Sequence, residues 1–259
     1  MATIGIFDSG CGGLSVYREL VKLLPRENYY FFADNAHCPY GEKSVLYIRR
    51  RARFITETLL AKGADIIVVA CNTATAAAIG TLRKEYPDVP FIGMEPAVKP
   101  AALGTRTGVI GVLATAGTLK GSKYLNTRGI WGGNVKISEH VGQGFVELVE
   151  NGLLDGPEAE AVVRTSLQPL LDDGADKIVL GCTHYPFLQP LIERLSGPGV
   201  EVIDPAPAVA RQTLHVLESL GVPIGQGAPS LHLLSSGSPE PLHRLLSLHF
   251  PDTQYVDSQ

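Results

Sequence analysis

Two cysteines of this chain lie in nearly the same local sequence. Cys71 lies in GADIIVVACNT at residues 63–73, and Cys182 lies in GADKIVLGCTH at residues 174–184. A thiol becomes a useful base or nucleophile when a helix N-terminus or a cation lowers its pKa, and both cysteines precede a predicted helix. His184 follows Cys182 by two residues, close enough to exchange a proton with it. The repeat therefore indicates that the chain uses two thiols in one site.

A third polar segment, IGIFDSGCGG at residues 4–13, carries Asp8 and Ser9. Each candidate also has a purely structural explanation. A lone cysteine is most often buried for packing, Asp8 could cap the helix that follows, and His184 could be an ordinary loop histidine. Because all three segments fall at the ends of predicted strands, together they favour a functional site.

Short β-branched segments alternate with longer amphipathic ones along the chain. This order predicts an α/β fold with largely parallel sheets that helices cover on both sides. The predicted strands span residues 3–7, 29–33, 66–70, 91–94, 109–113, 136–140, 178–181 and 200–203. The predicted helices span residues 14–24, 45–62, 74–85, 157–172 and 187–195. DPAPAVARQ predicts a crossover and a helix, VPIGQGAPS a loop, LHLLSSG a strand and PEPLHRLLSLHF a helix.

The positions of the two cysteines at strand ends suggest why the local sequence is repeated. In parallel sheets, ligands bind beyond the carboxyl ends of the strands, and Cys71 and Cys182 each follow an apolar strand. We therefore expect two similar α/β halves, each contributing one cysteine to a shared cleft. Similar packing in unrelated βα units would produce a weaker version of the same repeat.

Composition excludes several classes of function. The 259 residues carry a net charge of −4 with scattered basic residues, which argues against nucleic acid as a partner. Neither a signal peptide nor a membrane span is recognisable, so we expect a cytoplasmic protein with no membrane partner. Four cysteines without a CxxC pair predict neither a disulfide framework nor a structural zinc site.

Two further motifs have simpler explanations. GCGGLS at residues 10–15 resembles a dinucleotide-binding turn, with Asp34 in the place of the ribose-binding acid. However, Ser15 replaces the small residue of that fingerprint, and Asp8 would repel a pyrophosphate. The basic run at residues 49–53 is interpreted as a solvated helix face.

Several segments together resemble the glutamate racemases of the aspartate/glutamate racemase family, which are bacterial, cofactor-independent enzymes with two cysteines. The matching segments run from residue 4 to residue 186, and the sequence letters that carry the resemblance are IGIFDSGCGGLSV, ADNAHCPYG, VVACNTATA, GMEPAVKPA, VLATAGTLKG and VLGCTHYP. One such motif alone would indicate only the wider group of two-cysteine racemases.

The resemblance implies two α/β domains that enclose the substrate in a cleft, one formed by residues 1–94 and 205–259 and the other by residues 95–204. It implies that Cys71 and Cys182 are the catalytic bases of a reaction that interconverts L-glutamate and D-glutamate, which supplies D-glutamate for peptidoglycan and cell shape. Asp8 would be the polar partner of Cys71 and His184 that of Cys182, and family spacing adds Glu150, in ELVENG, near His184.

The same resemblance implies substrate contacts from Asp8, Ser9, Tyr40, Gly41, Asn72, Thr73, Thr183 and His184. The short segments that carry these contacts contain no lysine or arginine, so we expect neutral donors to bind the substrate carboxylates. We expect no cofactor and no metal, because Lys99 and Lys120, interpreted as loop residues, do not suggest a Schiff-base site. The expected partner is a small-molecule substrate, and a homodimer is compatible with the resemblance.

Alternative functions remain open at this point. A racemase of another amino acid, such as aspartate, would keep both cysteines and change only the pocket. A Cys–His nucleophilic hydrolase would use Cys182 and His184 and leave Cys71 inert. A ligand-binding protein without catalysis would need none of these groups. The remaining cysteines, Cys11 and Cys38, are assigned to packing.

Overall fold

The computed structural model describes residues 1–225 and 228–258. Its strands are β1 Thr3–Asp8, β2 Asn28–Ala33, β3 Ile66–Val69, β4 Phe91–Gly93, β5 Val109–Ala114, β6 Lys136–Val141, β7 Lys177–Gly181, β8 Glu201–Ile203, β9 Ser230–Ser235 and β10 Val256–Asp257. Its α-helices are α1 Leu14–Leu23, α2 Val45–Ala61, α3 Asn72–Glu85, α4 Val98–Gly104, α5 Ala116–Leu119, α6 Ser122–Trp131, α7 Phe145–Glu150, α8 Pro157–Asp172, α9 Gln189–Ser196, α10 Ala206–Ser219 and α11 Glu240–His249.

The strands form two sheets. The first has the order β10-β9-β2-β1-β3-β4, and the second has the order β6-β5-β7-β8. The pairings of both sheets are parallel, with β1 between β2 and β3, and β5 between β6 and β7. The predicted α/β fold with two largely parallel sheets is confirmed.

Apolar side chains form three layers around these sheets. One layer covers the outer face of the first sheet and another covers the outer face of the second. The largest layer lies between the sheets and contains residues of both, such as Ile6 of β1 and Leu180 of β7, together with Leu14 of α1. Burial of this central layer holds the carboxyl ends of β1, β3 and β7 near one another.

The predicted strands are confirmed to within two residues, and so are the strand and helix in the last forty residues. The predicted helix 187–195 begins instead as a 3₁₀ turn, Tyr185–Leu188, before α9. The helices α4 to α7 are absent from the predicted set: α4, α5 and α7 have seven residues or fewer, and α6 lacks a clear apolar face. Part of the predicted loop in VPIGQGAPS, residues 226 and 227, lies outside the described residues.

Two expectations about basic residues are wrong. Lys99 was expected in a loop but lies inside α4, where Pro100 is tolerated because it falls in the first turn; Lys120 lies in the turn after α5, as expected. Within the basic run on α2, Arg51 is not a solvated side chain. Its guanidinium binds the fully buried carboxylate of Asp34 through two contacts of 2.7 and 2.9 Å.

Among the residues that the structure describes, α-helices long and apolar enough to cross a bilayer are absent.

Candidate active site

The candidate residues gather at the carboxyl ends of three strands. Asp8 is the last residue of β1, Cys71 lies two residues beyond β3, and Cys182 directly follows β7. The first sheet forms one side of the site and the second sheet forms the other. Thr183, on the second side, donates a hydrogen bond from its hydroxyl to Asp8 Oδ2, on the first side, over 3.2 Å. All four residues are buried. The structure thus brings the three sequence motifs into one water-poor region.

The Cys71 side of the site is rich in oxygen atoms. Cys71 is the N-cap of α3, and its Sγ accepts a hydrogen bond from the Ala74 backbone over 3.4 Å. The Cys71 thiol lies 3.9 Å from Ser9 Oγ, which in turn lies 3.4 Å from Asp8 Oδ1. Burial and the charge of Asp8 raise the pKa of Cys71 well above its usual value, although the α3 N-terminus lowers it. The α3 N-terminus thus acts on Cys71 in the expected direction, but burial and Asp8 outweigh it.

Asp8 has two functions in the local structure. Its Oδ2 accepts a hydrogen bond from the Gly13 backbone over 2.8 Å, which supports the start of α1. The same oxygen receives the hydroxyl of Thr183 from the other side of the site. Burial raises the pKa of Asp8, while its backbone hydrogen bonds oppose that shift. Helix capping and a place in the site are therefore compatible.

The Cys182 side of the site is a row of three groups. Cys182 Sγ lies 3.8 Å from Nδ1 of His184, and Nε2 of the same ring lies 2.7 Å from Oε1 of Glu150. Burial alone would lower the pKa of His184, but hydrogen bonds with Cys11, Cys182 and Glu150 raise it well above its usual value. The structure thus places Glu150 beside His184 and Cys182, and it favours a protonated imidazole.

The glycine turn at residues 10–13 fits against this row. A Cβ at Gly10 would overlap Glu150 Oε1, and a Cβ at Gly12 would overlap the His184 ring. The backbone of Cys11 between them donates to Glu150 Oε1 over 2.9 Å. The glycines therefore allow the backbone to approach a His–Glu pair. Asp34, the residue a dinucleotide site would need, is already bound by Arg51.

Asn72 is the candidate with the clearest sign of a missing ligand. It is 3% exposed, and neither its amide nitrogen nor its amide oxygen has a hydrogen-bond partner among the described residues. Leaving such a group unpaired costs about 1–3 kcal/mol. The cost is understandable when a polar substrate supplies the partner.

Hydroxyl groups line the cleft next to Asn72. Thr73 Oγ1 lies 2.8 Å from Thr115 Oγ1 and 3.3 Å from Thr118 Oγ1, so α3 contacts the segment after β5. Gly41 packs against Thr115. A cavity of about 680 Å³ opens beside Thr73 and Gly41, and three cationic residues line it: Lys43, Arg49 and Lys120. Lys120 belongs to the motif VLATAGTLKG, whereas Lys43 and Arg49 lie outside the motifs, and Glu42 lines the same cavity.

Tyr40, whose expected substrate contact stays a prediction, already has a polar partner in the protein. It is 1% exposed, and its hydroxyl donates to Asp34, the same carboxylate that Arg51 binds. The Tyr40 side chain is therefore occupied by a structural contact, whereas its neighbour Gly41 borders the cleft.

Sequence reasoning missed two neighbours of the site. Cys11 lies next to His184 and Glu150, and the Cys38 thiol lies 3.9 Å from Glu150 Oε1. The position of Cys11 inside the glycine turn was the one local signal that it would reach the site. Nothing in the sequence around Cys38 indicated a contact with a residue more than 100 positions away.

Comparisons with known proteins agree with one another. The sequence model of the Asp/Glu/hydantoin racemase family matches residues 4–213. The glutamate racemase of Ectopseudomonas mendocina (strain ymp) is 48% identical over 247 residues, which cover 95% of this chain and 94% of that protein.

Solved structures give the same result. Glutamate racemase isoform RacE1 from Bacillus anthracis matches with a TM-score of 0.88 at 30% identity, covering 100% of this chain and 97% of that one. Escherichia coli glutamate racemase, in complex with L-glutamate and the activator UDP-MurNAc-ala, matches with a TM-score of 0.84 at 33% identity, covering 95% of this chain and 94% of that one.

Proposed function

The chain belongs to the Asp/Glu/hydantoin racemase family, and from this premise we propose that Cys71 and Cys182 are the two acid/base groups of its reaction. That reaction is the racemisation of glutamate, which makes the protein an amino-acid isomerase. One observation carries the assignment. The two thiols follow interior strands of different sheets, both are buried, and each has a polar partner of its own.

Racemisation requires proton transfer on both faces of one carbon. One cysteine, as a thiolate, accepts the proton from Cα, and the electron pair of the broken bond stays on that carbon. The thiol of the other cysteine then delivers a proton to the opposite face and becomes a thiolate. The bonds and electrons balance without an oxidant or reductant, so the two thiols suffice for the transfers.

The partners adjust the proton affinity of each thiol. Asp8 keeps Cys71 protonated in the ligand-free protein because its charge adds to the effect of burial. A substrate ammonium group next to Asp8 would offset that charge and make the Cys71 proton easier to lose. On the other side, His184 can exchange a proton with Cys182, and Glu150 holds the imidazole in place. Asp8 is thus proposed as the ammonium site and His184 as the proton partner.

Neutral donors are proposed to hold the two carboxylates of glutamate. The unpaired amide of Asn72 is the strongest candidate, and the hydroxyls of Ser9, Thr73 and Thr183 are the other candidates. Three cationic residues and one acidic residue, Glu42, line the cavity, and their net positive charge favours a substrate of net charge −1. Removal of water from this buried region strengthens the donors that stabilise the carbanion.

The wider biology follows from the same reaction. We propose that the domain boundaries fall near residues 94 and 204, that the enzyme works in the cytoplasm as a monomer or homodimer, and that its D-glutamate enters peptidoglycan. The similarity to glutamate racemases favours glutamate over aspartate as substrate. The hydrolase alternative requires an inert Cys71, and the coupling of Cys71 with Asp8 and Cys182 argues against it.

The deciding experiment follows L-glutamate by circular dichroism in heavy water with wild type, Cys71→Ala and Cys182→Ala. We expect the wild-type signal to decay to zero with deuterium at Cα, and racemisation to be lost in both variants. Cys38→Ala, which removes a thiol that is not one of the two proposed acid/base groups, is the matched control and should still racemise. Full activity of Cys71→Ala would refute the two-base assignment and would favour the hydrolase alternative.

A further inference from the structure

Four potential metal ligands converge beside the proposed acid/base row. Sγ of Cys11, a carboxylate oxygen of Glu150 and a ring nitrogen of His184 lie within 4.8 Å of one another. Cys38 Sγ lies 3.9 Å from Glu150 Oε1. These residues come from four separate segments and contain no closely spaced pair, which is why the sequence indicated no metal site.

The donor set suits a thiophilic divalent cation. Thiolate, imidazole and carboxylate are the ligands of tetrahedral zinc, at bond lengths of about 2.0–2.3 Å, which put two ligands of one ion roughly 3.4–3.8 Å apart. The ligand atoms of Cys11, Glu150 and His184 lie up to 4.8 Å apart, so Cys11 Sγ needs to move up to about 1 Å closer to the other two to share one ion. The 2.7 Å contact between His184 and Glu150 needs to open by a similar or smaller amount.

A separate pocket leads from solvent to this cluster. It has a volume of about 310 Å³, and Cys38, Glu147 and Glu150 line it together with Pro39 and Val146. The volume is sufficient for an ion with several waters, each of which occupies about 30 Å³. The two carboxylates on the wall favour a cation over an anion.

We propose that Cys11, Glu150 and His184, with Cys38 beside them, form a binding site for a thiophilic divalent cation of the zinc type. The ion takes the place of the hydrogen bond between His184 and Glu150, and the displaced imidazole and thiol protons leave to solvent. An imidazole bound to the ion through Nε2 carries its single proton on Nδ1, so it can no longer accept a proton from Cys182. Occupancy therefore inhibits the enzyme, a consequence that rests on the proposed function, whereas binding itself does not.

Co²⁺ is the probe for binding, because cobalt bound to a thiolate absorbs in the near ultraviolet. We expect this band in the wild type, a reduced band in Cys11→Ala and Cys11→Ser, and no band in the double variant Cys11→Ala/Cys38→Ala. Equilibrium dialysis should give one Co²⁺ per chain for the wild type. An undiminished band in the double variant would mean that the ion sits on Cys71 or Cys182, and would overturn the proposal.

Zn²⁺ inhibition of glutamate racemisation is the second measurement. Loss of one ligand should raise the Zn²⁺ inhibition constant, measured relative to the variant's own activity in metal-free buffer, at least ~10-fold in Cys11→Ala, with an unchanged far-ultraviolet circular dichroism spectrum as proof of folding. An unchanged inhibition constant would contradict the site. A wild type that binds Co²⁺ but never racemises glutamate would refute the proposed function and leave the metal site standing.

Discussion

The two sides of the site have the same geometry and opposite electrostatics. Cys71 and Cys182 each follow an interior strand of a parallel sheet, yet Cys71 lies near a buried carboxylate, Asp8, and Cys182 lies near a buried histidine, His184. The repeated βα unit therefore determines where a thiol lies, and the neighbours determine how readily it gives or takes a proton. Two groups that must act as acid and base on one carbon benefit from such unequal environments.

The origin of the neighbours differs as well. Asp8 belongs to β1, which pairs with β3, the strand that precedes Cys71. His184 lies two residues after its own cysteine, and Glu150, which holds the imidazole, comes from α7. The Cys71 side is thus built by strand pairing, and the Cys182 side by a helix end and a loop.

The largest expected effect on the racemisation rate comes from substituting the polar partner of each cysteine, one at a time. His184→Asn and Asp8→Asn should each lower the racemisation rate by about 10²- to 10⁴-fold, the usual contribution of a positioned acid or base. The equal energies of the enantiomers force kcat/KM to fall equally in both directions. Wash-in of deuterium at Cα, followed by proton NMR, should nevertheless slow more for one enantiomer in His184→Asn and for the other in Asp8→Asn. Slowing of the same enantiomer in both variants would break the comparison.

Gly12→Ala should affect the Cys182 side only by displacing the His184 ring. Its Cβ would overlap the His184 ring, and a displacement of about 1 Å can cost about 10²-fold in rate. Gly80→Ala is the matched control, because Gly80 lies in α3 with no atom within 4 Å of its Cβ position. We expect Gly80→Ala to keep its activity and gain up to about 1 kcal/mol in stability. Equal activity of the two variants would show that the close approach at Gly12 is unimportant.

Asn72 and Thr75 compare a free and a satisfied polar group on one helix. Asn72→Ala should raise the KM for glutamate by about 10-fold or more, since a hydrogen bond to a charged group contributes about 1.5–3 kcal/mol. The same change should leave the unfolding free energy equal or higher, because an unpaired buried amide is removed.

Thr75→Val is the control for that measurement. Its hydroxyl donates to the Val69 carbonyl and accepts from the Met94 backbone, so we expect a loss of about 1–3 kcal/mol in stability with little change in KM. Urea unfolding and initial rates measure both quantities. A destabilised Asn72→Ala with normal KM would show that Asn72 is structural.

The smallest effect is a pH dependence of stability on the Cys182 side. Because the pKa of His184 is raised above 6.5, the folded protein holds a proton that the unfolded chain releases, so stability falls as pH rises from 6.5 towards the folded pKa. Glu150→Gln removes one cause of that shift. It should flatten the slope between pH 6.5 and 9.0, by at most about 1.4 kcal/mol per pH unit.

Asp8→Asn is the control for the pH experiment. The pKa of Asp8 is raised above 3.8, so the stability linked to Asp8 starts to fall as pH rises above 3.8, at a lower pH than for His184. Asp8→Asn should therefore flatten the slope from this lower onset, whereas Glu150→Gln should flatten the slope that starts at pH 6.5. Urea unfolding across both ranges gives both slopes, and a slope above pH 6.5 that persists in Glu150→Gln would contradict the assignment to His184.

The sequence predicted the parts of the molecule that depend on local pattern. Alternating apolar segments located the strands, and the repeat around Cys71 and Cys182 located two equivalent strand ends. The contact of Glu150 with His184 was expected from the resemblance alone, because no periodicity links a short helix to a distant loop.

Contacts between distant segments escaped prediction. Arg51 looked like a solvated residue, and only the fold shows that it neutralises the buried Asp34. Cys11 and Cys38 looked like packing residues because their neighbours in space, Glu150 and His184, are far away in sequence. Long-range side-chain contacts need the three-dimensional structure, whereas strand ends do not.

The apolar layer shared by both sheets has a consequence for cooperativity. A residue of β1 such as Ile6 and a residue of β7 such as Leu180 belong to the same continuous layer, so neither half can unfold while keeping the other's burial intact. Hydrogen exchange should therefore give one common opening free energy for the strands of both sheets. The segments that follow β1, β3 and β7 are buried as well, so we expect the openings that admit a substrate to be local ones, of lower free energy than this common opening.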